Sequence, residues 1–161
     1  MRPAYDRLAT LDELLRRAGE LSAKTLVFDV EPLVAHWESG QDALDQGVKS
    51  VLARTRAIPG VQVVCFATNS LRRPSAPPAG AGVRAVYLAS AGKPLRTAPY
   101  RDFPRPGVVI GDQLATDGAL ARRLGYAFLQ YHPDPSSLPL GPRMMDWAGQ
   151  VVRPLLFARR H

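Results

Sequence analysis

The chain predicts an α/β protein built on one parallel, doubly wound, Rossmann-like sheet of about five strands with flanking helices. Three observations predict it. Short, nearly continuous apolar runs, among them Leu26-Val27-Phe28, Val63-Val64-Cys65-Phe66 and Val108-Val109-Ile110, suit strands covered on both faces. Helical periodicity and short Pro- or Gly-bounded connections alternate with those runs. Polar residues follow the runs directly, as expected where strands leave a sheet at the carboxyl edge that binds ligands in open α/β folds.

The elements follow in order. Apolar residues at 8, 11, 14, 15 and 18 mark one face of a helix over 8–20, with Thr10 as N-cap and Asp12 and Glu13 in its first turn. Thr25 to Asp29 is the first strand. A helix from Asp42 to Ala57 turns Ala43, Leu44, Val48, Val51 and Leu52 inward, and Ile58-Pro59-Gly60 stops it. Val61 to Ala67 is the second strand. The stretch Arg72 to Gly82 is too rich in proline and glycine for a helix. Val83 to Leu88 is the third strand, and a proline-broken stretch from Pro99 to Pro106 leads to the fourth, Val108 to Ile110. Asp117 to Leu124 reads as helix capped by Gly125, and Tyr126 to Gln130 as the fifth strand. Arg143 to Phe157 is expected as a closing helix, within a tail over 141–161. A core over 24–131 completes a single domain spanning 1–161, with no insertion large enough to be a cap.

The length of 161 residues and an apolar fraction of 46% fit one domain with a sizeable core. Lys and Arg number 21 against 14 Asp and Glu, a net charge of +7. That excess attracts anions: phosphorylated metabolites, acidic lipid surfaces or nucleic acid. The arginines are scattered, so no specific nucleic-acid site is expected. Peripheral membrane contact is an open expectation, carried by Arg143, Arg153, Arg159 and Arg160. Cys65 is the single cysteine; it excludes a disulfide framework and reads as a core residue. The start shows no apolar signal segment and no stretch is long enough to cross a bilayer, so a cytoplasmic location is expected.

The strand ends carry the chemistry. Asp29 and Glu31 lie two residues apart and point the same way from an extended chain. Thr68 and Asn69 close the second strand, Lys93 follows the third, and Asp112 with Asp117 follow the fourth. Acidic groups gathered at one point need a cation, and oxygen-only ligands select Mg²⁺. A hydroxyl and a lysine supply donors for phosphate oxygens, and a further carboxylate can attack phosphorus. His132 and His161 have no metal-ligand spacing.

Asp29-Val30-Glu31, Thr68-Asn69-Ser70, Lys93-Pro94 and Gly111-Asp112-Gln113-Leu114-Ala115-Thr116-Asp117 resemble the four ordered motifs of the haloacid dehalogenase superfamily. The nearest resemblance is to its capless YqeG-like branch (subfamily IIIA), related to the phosphatidylglycerophosphatases. Arg122-Arg123-Leu124-Gly125, Arg2-Pro3 with Tyr5, and Trp37 also match. The resemblance covers residues 2 to 131. It implies a Mg²⁺-dependent phosphatase with Asp29 as nucleophile and metal ligand. It further implies that the Glu31 backbone carbonyl and Asp112 bind metal and that the Glu31 side chain is the general acid/base. Thr68, with Asn69 and neighbouring amides, would hold the phosphoryl group, and Lys93 would neutralise it. Asp117 would orient Lys93 or serve at the metal.

Three residues depart from the family pattern. Glu31 stands where the family has Asp, Pro32 where it has Asn, and Leu33 where it has Thr. The extra methylene of Glu31 displaces its carboxyl group by about 1 Å. Helices after the second and third motifs are missing, which exposes one flank and favours a homodimer. The resemblance implies a phosphorylated small molecule or lipid headgroup as substrate. An alternative stays open: a catalytically impaired descendant acting as a binding or assembly subunit. A receiver domain disagrees in the order of its lysine and carboxylates, and a dinucleotide-binding fold lacks Gly-x-Gly-x-x-Gly after the first strand.

Overall fold

Leu26, Val27 and Phe28 are at most 1% exposed because their strand is paired on both edges and covered on both faces. The computed structural model describes residues 3–80, 82–132 and Phe157. In chain order the elements are β1 (Tyr5–Leu8), α1 (Leu11–Glu20), β2 (Thr25–Asp29), α2 (Gln41–Thr55), β3 (Val63–Ala67) and β4 (Arg84–Leu88). A 3-10 turn (Ala98–Tyr100), β5 (Gly107–Gly111), a π-helical turn (Leu114–Gly118), α3 (Ala119–Leu124) and β6 (Ala127–Tyr131) follow. All strand pairs are parallel, in the order β1-β6-β5-β2-β3-β4. The protein is therefore α/β with one open parallel sheet of six strands, as its patterning predicts.

Alternation along the strands splits the core in two. Leu26, Phe28, Val64, Phe66, Val108 and Ile110 pack with Leu14, Leu15 and Ala18 of α1 and with Leu44, Val48 and Val51 of α2. On the opposite face Val27, Cys65, Val109 and Phe128 pack with Tyr100, Phe103, Leu120 and Phe157. That second face has thinner cover among the described residues, as expected from its prolines. Among the described residues no α-helix joins β3 to β4, and only the 3-10 turn stands between β4 and β5.

The structure corrects several boundaries. The described residues form six strands rather than five, because Tyr5–Leu8 pairs with Phe128–Tyr131 at the sheet edge. Its two charged residues in four break the apolar signal of a strand. The first helix starts at Leu11, not residue 8, since Thr10 accepts from the Glu13 amide at 3.3 Å while the Glu13 carboxylate accepts from the Thr10 amide at 3.1 Å. The helix predicted over 42–57 begins one residue earlier and ends two residues sooner, at Gln41–Thr55, and the strands other than Thr25–Asp29 shift by one or two residues. Asp117–Leu124 is not one helix: Asp117 lies in the π turn, and α3 begins at Ala119. Gly125 caps it at φ 69°, a left-handed conformation that glycine adopts without strain. The closing helix and the arginines of the tail lie outside the described residues, except that Phe157 stacks on Tyr5 at 5.3 Å and Phe128 at 5.7 Å. No described helix is long and apolar enough to cross a membrane.

Candidate functional site

The carboxyl ends of β2 and β5 lie side by side, since Phe28 pairs with Ile110. Asp29 and Gly111 close the two strands, and Asp112 follows Gly111 out of the sheet. The π turn after β5 brings Asp117 back over the same point. There Asp29, Asp112 and Asp117 each offer a carboxylate oxygen, all within 4.8 Å of one another. Lys93, from the loop after β4, reaches in at 3% side-chain exposure. Its ammonium donates to Asp29 Oδ1 and Asp117 Oδ1, each at 2.7 Å.

Backbone geometry fixes this cluster. Asp117 is fully buried and accepts a long hydrogen bond from the Gln113 amide at 3.3 Å. Gly111 is obligatory beneath it, because a Cβ there would stand 2.3 Å from Asp117 Oδ2. Gln130, in β6, donates from its side-chain amide to the Asp112 carbonyl at 2.8 Å, and its Oε1 accepts from the Tyr5 hydroxyl. The Asn69 side chain donates to the Lys93 carbonyl at 3.0 Å and accepts from the Lys93 amide at 2.8 Å. Asn69 thus joins the loop after β3 to the loop after β4, and both ends of its amide are spent on Lys93.

The electrostatics follow from three carboxylates and one ammonium out of water. Burial and the neighbouring Asp117 carboxylate push the Asp29 carboxyl well above its ordinary range, against the pull of Lys93. Burial works against the charge of Lys93, but Asp117 and Asp29 outweigh it and hold the ammonium above its usual range. Lys93 therefore stays charged while the carboxylates exceed what it can neutralise.

Beside the cluster opens a cleft of about 220 Å³, lined in part by Asp29, Lys93, Thr68, Trp37 and Gln113. Across it the Thr68 hydroxyl donates to Glu31 Oε2 at 2.8 Å and accepts from the Ser70 amide at 3.0 Å. The Arg72 guanidinium stands 3.4 Å from Glu31 Oε1. It donates to the carbonyls of His36 and Ser39, each at 2.9 Å, and to the Ser39 hydroxyl at 3.1 Å. The peptide bonds before Pro32 and Pro94 are both cis.

Of the sequence-predicted residues, Asp29, Asp112, Asp117 and Lys93 come together in one knot. Glu31 and Thr68 pair across the cleft, and Asn69 holds Lys93 by its backbone. Trp37 lines the cleft with His36 edge-on at 5.3 Å. Cys65 is buried in the core, which pushes its thiol up to about 12. Sequence reading missed Arg72, Ser70 and Gln130. Arg72 has no signal that separates it from Arg73, and Gln130 closes an apolar strand like any terminal polar residue. No family model, no curated protein and no solved structure matches this chain.

Proposed function

We propose that this chain is a Mg²⁺-dependent phosphatase of the haloacid dehalogenase type, hydrolysing a phosphate monoester through an aspartyl-phosphate on Asp29. One observation carries the reading: Lys93 bridges Asp29 and Asp117 at 2.7 Å each, with an oxygen of Asp112 in the same cluster, at the wall of an open cleft. The donor set fits the cation. Ligand oxygens around an octahedral Mg²⁺ at about 2.1 Å are about 3–4.2 Å apart, and the three carboxylates can meet that spacing. Asp29 and Asp112 would hold it, with Asp117 turned to Lys93. Bound Mg²⁺ would neutralise charge on the phosphoryl oxygens.

The residues divide the reaction. Asp29 attacks phosphorus; the O–P bond to Asp29 forms as the bond to the leaving alcohol breaks. Lys93 keeps the nucleophile oriented through Oδ1 and offsets the charge that develops. Water then attacks the phospho-aspartate, freeing phosphate and restoring Asp29. Glu31, which lines the same cleft, would move protons to the alcohol and from the water. Among the described residues nothing caps the site, which suits a bulky phosphoester or a lipid headgroup, and the thin cover of the second face by those residues suits a homodimer.

The test is phosphate release from an aryl phosphate with Mg²⁺. Asp29→Asn is expected to cut turnover at least about a thousandfold; equal rates would refute the assignment. A second reading, a binding subunit without turnover, is favoured by Glu31, whose carboxylate is already taken by Thr68 and lies beside Arg72. Mg²⁺ binding with no hydrolysis across a broad phosphoester panel would decide for it.

A further inference from the structure

We propose that the Glu31 side chain is an internal occupant of an anion pocket, and that phosphate binds there by displacing it. The pocket is made by the hydroxyls of Thr68 and Ser70 and by the guanidinium of Arg72. Glu31 Oε2 accepts from Thr68 at 2.8 Å, and Oε1 stands 3.4 Å from both the Ser70 hydroxyl and Arg72 Nη1. Thr68 is 1% exposed and Glu31 8%, so the Thr68 hydroxyl faces the carboxylate and not bulk water, while Ser70 and Arg72 are half-buried at the rim. A carboxylate and a phosphate present the same thing to such donors: a fan of anionic oxygens.

The pocket survives when its occupant leaves. Three bonds to the loop at 36–39 fix Arg72 without help from Glu31. The Ser70 amide on Thr68 Oγ1 and the Arg72 amide on the Ser70 hydroxyl, at 3.0 and 3.2 Å, hold the hydroxyls in place. The contacts of Glu31 to Arg72 and Ser70 are by comparison long, which makes the carboxylate the exchangeable member. The extra methylene of glutamate is what carries the carboxyl group across to these donors. Asp29 and Lys93 line the same cleft, so an anion seated on Arg72 and Thr68 would lie beside both. The identity of the anion rests on the phosphatase reading; the displacement does not.

Titration with inorganic phosphate, with EDTA and again with Mg²⁺, tests this without turnover. Glu31→Gln is expected to tighten phosphate about tenfold. Adding Arg72→Ala or, separately, Thr68→Val to that variant is expected to abolish the gain. Glu38→Gln, an exposed change in the adjoining loop, is expected to alter affinity by less than about twofold. Thermal midpoints confirm that each variant is folded, and Ser70→Ala replaces Thr68→Val if the buried change unfolds the chain. No gain in Glu31→Gln, an equal gain in Glu38→Gln, or a gain that persists in both double variants would overturn the proposal. The predicted pattern with every phosphoester left intact would sink the phosphatase reading alone. Hydrolysis through Asp29 without the pattern would sink the displacement alone.

Discussion

The two walls of the cleft are built by different means. The carboxylate wall is assembled by the sheet: Asp29 ends β2, Asp112 directly follows the adjacent β5, and Asp117 is folded back by the turn that follows β5. The donor wall is assembled by loops that hold one another, 31–39 against 68–72, through Arg72, Ser39 and the His36 carbonyl. The first wall is buried, with three carboxyl groups around one ammonium. The second is half-open and balanced, with Glu31 facing Arg72 and Thr68. A site of this kind separates the place where charge is stored from the place where a ligand can be exchanged.

The sharpest break of the carboxylate wall is Lys93→Met. It leaves Asp29 and Asp117 buried without their shared cation. Losing one partner of a buried ion pair costs about 3–5 kcal/mol, and urea unfolding with EDTA present should show a loss of that size. Mg²⁺ should return part of it. A loss below about 1 kcal/mol would mean that the cluster is hydrated and the contrast between the walls is false.

Gly111→Ala comes next. The added Cβ meets Asp117 Oδ2, and that carboxylate cannot swing aside because Lys93 holds it and it has no exposed surface. Overpacking of this kind costs about 1–3 kcal/mol. Thermal unfolding measures it, and Mg²⁺ should stabilise this variant less than the parent chain.

These residues also show what the sequence made legible. Asp29 and Asp112 could be read because each closes an apolar run, and a strand end in a parallel sheet has one destination. The sheet itself was legible for the same reason, apart from β1, whose Asp6 and Arg7 carry no apolar signal. The donor wall had no such rule behind it. Nothing in Arg72-Arg73 says which arginine turns inward, since the choice is made by carbonyls at residues 36 and 39. Asn69 was expected at phosphate, yet its amide closes on the Lys93 backbone, a contact between loops that no spacing encodes.

The pH response distinguishes the walls more gently. The Asp29 carboxyl is raised in the folded state, so between its unfolded and folded values the native chain holds a proton that the unfolded chain has released. Stability then falls as pH rises through that window. Lys93 is raised too; its contribution is full below the ordinary lysine range and is lost only above it, outside this window. Denaturation midpoints in EDTA should therefore decline as pH rises above the ordinary aspartate range, and Mg²⁺ should flatten the decline. A rise instead would show that Lys93 outweighs burial at Asp29. Asn69→Ala removes the two bonds to the Lys93 backbone from an exposed side chain and should cost about 1 kcal/mol, with a drop in turnover larger than that loss of stability would give.

The smallest effect on stability belongs to the donor wall. Glu31→Asp shortens the arm by one methylene and withdraws the carboxyl group from Thr68 and Arg72. Arg72 is half-buried and Thr68 lines the cleft, so water can enter in place of the carboxylate and stability should change by less than about 1 kcal/mol. Turnover should move the other way. Shortening returns the carboxyl toward the reacting centre and frees the donors, and a displacement of about 1 Å is worth roughly a hundredfold in rate at most, so a rise of about tenfold is expected in phosphate release. A fall would mean that the cleft works with glutamate in place, its proton transfers tuned to the longer arm. The donor wall would then belong to the chemistry as much as the carboxylate wall does.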